Sequence, residues 1–154
     1  EPILFDYVFA YKGYLADHTR IFSLGRLPDD MLAAHKAMLE LQSLLMKKML
    51  PGTPAGDIYD MAIAFVEEAG YDDYFMGAET QRIRFIGHGV GIELDEYPFL
   101  AKGQQLRLQE NMVIALEPKL IFPGKGVVGV ENTHVVTPDG LRSLTTYPEE
   151  IEIL

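Results

Sequence analysis

Aromatic and β-branched side chains crowd the stretch from Ile3 to Phe22 and are broken only near Tyr11, Lys12 and Gly13, which predicts a β-hairpin with mostly buried arms. Between Pro28 and Pro51 the pattern changes period. Met31, Ala34, Met38, Leu41, Leu45 and Met49 recur at spacings of three and four, the inner stripe of an amphipathic helix with Asp29 or Asp30 as its cap. Pro51 and Gly52 end it. Thr53 and Pro54 then offer a cap and a first-turn residue for a second helix, with Ile58, Met61, Ala62, Phe65 and Ala69 facing inward and Gly70 closing it. Tyr71 to Thr80 reads as a loop. In Phe85-Ile86-Gly87-His88-Gly89-Val90-Gly91-Ile92 the branched residues predict strand, while the glycines predict a close approach of another backbone. Pro98 to Gln109 is a connector. Met112 to Phe122 and Val127 to Thr137 are two further strands, joined by Pro123-Gly124-Lys125-Gly126 as a second hairpin. With no repeat and no linker, one α+β domain is expected over residues 1–154.

Each hairpin carries two acids inside an apolar strand. A turn centred between Tyr11 and Lys12 would set Asp6 opposite Asp17, and a turn centred on Gly124 would set Glu117 opposite Glu131. Directly opposed like charges are destabilising, and burial makes them more so, because an unpartnered carboxylate either loses several kcal/mol or takes up a proton. Beyond Lys12, Arg20 and Lys119 these strands carry no basic residue to offset them. On spacing alone two readings stay open: acids solvated at strand ends, or four carboxylates and the imidazole of His88 gathered around two divalent ions. His134 is an odd number of positions from Glu131 and so points to the other face of its strand. His18 is opposed to Asp17 in the same way, and His35, beside Lys36, is expected at a solvated helix edge.

Composition narrows the partners. Thirteen lysines and arginines against 23 aspartates and glutamates give a net charge of −10, which argues against nucleic acid or an acidic membrane face as a partner. No apolar run approaches the roughly 20 residues that span a bilayer. The chain has no cysteine, which excludes disulfides, thiolate metal sites and a cysteine nucleophile. It opens on Glu1 without a basic and apolar leader, and a strand-like run starts at Ile3. A soluble cytoplasmic protein, or a piece of a longer one, is the expectation.

Taken together, Asp6, the run Asp17-His18-Thr19-Arg20, Gly87-His88-Gly89-Val90-Gly91, Leu116-Glu117-Pro118 and Val130-Glu131-Asn132 resemble the metal-binding pattern of the pita-bread metallopeptidases. That family includes methionine aminopeptidase, aminopeptidase P, prolidase and the non-peptidase creatinase. The short interval between Glu117 and Glu131 is similar to its Xaa-Pro branch. The resemblance implies a curved antiparallel sheet with helices on one side, of which this chain is the C-terminal part of the catalytic domain, the earlier half being absent. It also implies a two-metal hydrolase. Asp6 would bind one ion, Asp17 and Glu131 would bridge both, and His88 and Glu117 would complete the other. A hydroxide shared by the ions would attack the scissile carbonyl, while Glu117 shuttles the proton. Oxygen-rich ligation with one imidazole points to manganese or cobalt first, with zinc or iron as alternatives. Homodimers are common in the branch, so a dimer of the full-length protein is expected.

Three positions depart from the branch. Arg84 and Asp95 stand where it has histidines four residues before and seven after the metal histidine, and Gly129 stands where it has an arginine. Arg84 is a candidate for gripping a substrate carboxylate with its bidentate fork, and Asp95 for a base near the site, each against a plain surface role. The first expectation is therefore an Xaa-Pro aminopeptidase or dipeptidase acting on the N-terminus of peptides or on dipeptides. The alternative is a metal-binding relative on the same fold that acts on a non-peptide small molecule, with a non-catalytic binding module as a third.

Overall fold

The computed structural model describes residues 1–78 and 81–154. The hairpin at the start is β1 (Pro2–Tyr11) and β2 (Tyr14–Ser23), followed by helices α1 (Asp29–Lys48) and α2 (Ala55–Ala69). A 3-10 turn (Asp72–Tyr74) and the short strands β3 (Gly77–Ala78), β4 (Gln81–Arg82) and β5 (Gly87–Gly89) come next. The chain ends with β6 (Val113–Leu116), β7 (Lys119–Phe122), β8 (Gly126–Gly129), β9 (Asn132–Thr137), β10 (Gly140–Ser143) and β11 (Glu152–Ile153). The strands form a sheet ordered β1-β2-β11 and another ordered β10-β9-β6-β5, with β7-β8 and β3-β4 as two-stranded ribbons. The loop read between Tyr71 and Thr80 holds the 3-10 turn and β3, and its last two residues lie outside the described ones.

Helix α1 buries the stripe expected of it, from Met31 to Met49, and packs on β7, β8 and β10 with α2 against its flank. Its cap differs from expectation. Pro28 takes the N-cap position, leaving Asp29 and Asp30 in the first turn, where negative charge is favoured. Pro54 likewise replaces Thr53 at the start of α2, and the Thr53 hydroxyl bonds back to Lys48 O. The buried side of α2 runs through Ile58, Ala62 and Val66, while Met61 is 37% exposed. Three- and four-residue spacing alone cannot choose between two stripes this close on the helix. Gly70 closes α2 in the left-handed conformation, as expected.

The first hairpin departs in register and in burial. Lys12 and Gly13 both have positive φ, 51° and 85°, the two-residue turn that suits the twist of a hairpin, and Tyr11 pairs with Tyr14 across it. The turn thus lies one position further along than the spacing implied. Asp6 pairs with Thr19 and Asp17 with Val8, so the two acids are not opposed. The shift is of two residues, which preserves side-chain parity, and both acids still share one face of the ribbon. Instead of being mostly buried, β1 is largely exposed. Its other face presents Phe5, Tyr7 and Phe9 as a stacked ladder with ring centroids 5.9 and 6.3 Å apart.

In the second hairpin the expected register holds, but each arm is cut in two. Leu116 pairs with Asn132 and Lys119 with Gly129, so Glu117 and Glu131 occupy facing places at the break between β6 and β7 and between β8 and β9. Pro118 has no N–H to give to the ladder. Glu117 N donates instead to Ile86 O, and Glu131 exchanges backbone bonds with Thr19 of β2. The break turns the two glutamates toward β5 and β2, where the other candidate ligands lie.

Ile58→Ala is expected to lower the unfolding free energy by about 3 kcal/mol and Met61→Ala by less than about 1 kcal/mol, as read by urea titration; equal losses would mean that α2 is rotated from the position described.

Candidate metal centre

Asp17, His88 and Glu131 each place a donor atom within 4.8 Å of the other two, and all three residues are buried. Each is fixed by its own backbone. Thr133 Oγ1 accepts from Asp17 N and donates to Asp17 O, both at 2.8 Å, tying β2 to β9. The Thr19–Glu131 bridge holds β2 against the break in the second hairpin. Beside it Arg20 uses all five of its N–H groups on Pro148 O, Thr19 O, Glu131 O, Asn132 Oδ1 and Tyr147 O, so it clamps the site from behind and offers the acids no charge-to-charge contact.

His88 is delivered by glycines. A Cβ on Gly87 would lie 2.3 Å from Ala115 O, and one on Gly89 would lie 2.7 Å from Tyr97 O, so only glycine lets β5 sit this deep against its neighbours. His88 Nδ1 is 2.9 Å from Gly89 O and, facing a carbonyl, carries the proton. Nε2 therefore turns its lone pair to the acids, the tautomer a metal-ligating histidine needs. It lies 3.9 Å from Asp17 Oδ2, 3.7 Å from Glu117 Oε1 and 3.4 Å from Asp95 Oδ1.

Lys119 is the residue whose part the sequence reading left out. Its Nζ lies 3.0 Å from Glu117 Oε2, 2.9 Å from Glu131 Oε2 and 3.7 Å from Asp6 Oδ2. Asp6, half-exposed at the rim, reaches the cluster through this lysine and does not join the three donors above. The counter-charge expected to come wholly from metal is thus partly a side chain. The available signal was a lone lysine directly after Glu117-Pro118 in an otherwise apolar strand.

The electrostatics follow from burial. Burial pushes the Asp17 carboxyl up to about 6, with further push from Glu131 and Asp6. Burial also raises Glu117 to about 7, with Glu131 adding to the rise and Lys119 opposing it. For Lys119 burial works against the charged form, yet Glu131 and Glu117 together hold it above the usual lysine range. Four carboxylates around one ammonium remain in excess of negative charge, and an oxygen-rich set with one imidazole nitrogen fits a divalent cation at Asp17, His88 and Glu131.

The remaining candidates separate. Asp95 is drawn to the site by its approach to His88, though its side chain is 58% exposed. Arg84 instead lines a cavity of about 810 Å³ with Tyr59, Ile63, Met76 and Lys102, to which none of the five ligand candidates contributes. His134 is on the far face of β9, as parity required, bonded to Ser143 Oγ and pushed down to about 4 by burial. His18 stays off the acid face, lining an apolar hollow with Phe5, Tyr7 and Tyr147. His35 is a correction: it is buried, not solvated, with Nε2 2.8 Å from Glu149 O, because the C-terminal segment covers that edge of α1.

Known proteins resemble this chain over its whole length. Over its whole length the chain is 30% identical to an Xaa-Pro dipeptidase of Lactobacillus delbrueckii subsp. lactis, of which it covers 40%. The crystal structure of an X-Pro aminopeptidase from Thermotoga maritima superposes with a TM-score of 0.90 at 30% identity, over 99% of this chain and 41% of that one. A dipeptidase from Pyrococcus horikoshii gives 0.89 at 31% identity, again over 99% and 41%. The chain therefore spans about two fifths of the length of these relatives and has the α+β pita-bread fold that the resemblance implied. The sequence pattern of metallopeptidase family M24 matches residues 1–138, and the chain belongs to that family.

Proposed function

We propose that this chain carries the metal-binding half of a peptidase that removes or splits Xaa-Pro units at the N-terminus of peptides or in dipeptides. The observation that carries the reading is the convergence of Asp17, His88 and Glu131 donors within 4.8 Å, from three separate parts of a family M24 chain. The names of its relatives, Xaa-Pro dipeptidase and X-Pro aminopeptidase, point to the substrate class.

A divalent ion bound there supplies Lewis acidity, polarising a carbonyl and acidifying a water. The chain's own residues supply the rest. Asp17 and Glu131 set the position of the charge, and His88 is locked in the right tautomer by Gly89 O. Glu117 is the proton carrier. Its Oε2 is held by Lys119 and its Oε1 faces the His88 side, so it can take a proton from the attacking water and return it to the leaving amine. Asp95 stands 3.4 Å from His88 where the Xaa-Pro branch has a histidine, and this acid favours a second reading in which a small non-peptide substrate is bound.

In the intact protein, turnover of an Xaa-Pro dipeptide is expected to vanish on chelation and to return with added manganese. Failure to cleave any peptide while manganese is bound would favour the second reading. Glu117→Gln is expected to lower kcat by about 10²- to 10⁴-fold, whereas an unchanged kcat would remove Glu117 from the proton path.

Metal affinity carries its own pH signature. Both raised carboxyls, Asp17 near 6 and Glu117 near 7, are protonated on the acid side of those values, so an ion must displace protons there. Affinity for manganese is expected to climb as pH rises through 5 to 7 and to level off above, with proton release at pH 6 in calorimetry run in buffers of different ionisation enthalpy. A flat profile would contradict the assignment.

A further inference from the structure

We propose that the Lys119 ammonium is a resident cation that takes the place of a second metal ion, so that this centre binds one divalent ion, at Asp17, His88 and Glu131. The inference rests on the metal-dependent reading above and departs from the two-ion arrangement that the resemblance implied.

Oxygen accounting carries it. A glutamate that bridges two ions must offer one oxygen to each. Glu131 Oε2 already accepts from Thr19 Oγ1 at 2.7 Å and from Lys119 Nζ at 2.9 Å, which uses both of its lone pairs and leaves Oε1 for a single ion. Glu117 repeats the arrangement: Oε2 is taken by Lys119 at 3.0 Å, and Oε1 is the oxygen turned to His88. Asp17 Oδ1 accepts from His18 N at 2.9 Å, while Oδ2 faces His88 Nε2. Asp17 Oδ2 and Glu117 Oε1 on the His88 side, with the Glu131 donor, define one place for an ion. The two glutamate Oε2 atoms, together with Asp6 Oδ2, surround Nζ.

The backbone is shaped for this lysine. Gly129 pairs directly with Lys119 across the ribbon and has φ of 149°, and a Cβ there would lie 2.4 Å from Pro118 O, 2.7 Å from Lys119 Cα and 3.0 Å from Lys119 Cγ. A side chain at 129 would therefore collide with the stem that carries the ammonium to the acids. The stem is buried along with Glu117 and Glu131, so Nζ is not a surface charge that happens to point inward. A divalent ion coordinating the same two Oε2 atoms at about 2.1 Å would overlap the position of Nζ and repel its charge at short range.

Titration of the metal-free intact protein with manganese separates the possibilities, with ions counted by elemental analysis and their coupling read by electron paramagnetic resonance. The wild type is expected to saturate at one manganese per chain with an uncoupled spectrum. Lys119→Ala and Lys119→Met are expected to saturate at two with a spin-coupled spectrum, and Lys119→Arg to remain at one. Two coupled ions in the wild type would overturn the proposal while leaving the metal-dependent function standing, and this count needs no variant to fold. One ion in both the wild type and the folded alanine or methionine variants would also overturn it, since the lysine would then not be what excludes the second ion. No ion in any form would overturn both the proposal and the function it rests on.

Discussion

Mutual repulsion among buried carboxylates is the constraint around which this chain is arranged. Asp17, Glu117 and Glu131 are each less than a tenth exposed, and Asp6 adjoins them at the rim. Without compensation such a group would take up protons or unfold. Two kinds of compensation are visible. Hydroxyls and backbone amides donate to individual oxygens, as Thr19 does to Glu131 and His18 N to Asp17. Lys119 gives one full positive charge. The negative excess that remains is what makes the place between Asp17, His88 and Glu131 attractive to a cation.

Positioning these groups sets the shape of the surrounding fold. The second hairpin runs in a single register on both sides of Glu117 and Glu131, yet it is cut at those residues, because Pro118 cannot continue the ladder and the glutamates' amides bond to Ile86, just before β5, and to Thr19 of β2. Arg20 secures that junction with five hydrogen bonds to the Thr19, Glu131–Asn132 and Tyr147–Pro148 segments. Glycines flanking His88 let its strand approach where any Cβ would collide. Helix α1, with its apolar stripe, backs this layer, so the centre is built mainly on strands and supported by a packed core.

The centre has two sides of unlike chemistry. Toward His88 lie oxygens without strong donors, together with the exposed carboxylate of Asp95; away from it lie oxygens saturated by Lys119 and Thr19. The same glutamate can therefore hold an ion through one oxygen and be fixed in orientation through the other. Preorganisation of this kind limits how far the carboxylates must move when charge changes beside them.

Much of this was legible along the chain. The helices follow from apolar spacing, the strands from branched and aromatic runs, and four of the candidate ligands from acids out of place in apolar strands, with His88 joined to them by the family pattern. Those features are local, fixed by side-chain period and by residue chemistry. The hairpin register was missed by two residues because a turn's centre depends on which residues tolerate positive φ, here Lys12 and Gly13, and not on the midpoint of a polar break. The burial of His35 under the C-terminal segment, the exposure of β1, the split of Arg84 from Asp95 and the reach of Lys119 into the acids involve residues far apart in sequence. Sequence by itself determined which charges had to be reconciled. Tertiary structure alone decided which of them meet, because contact between distant segments depends on how the sheets and helices close on one another.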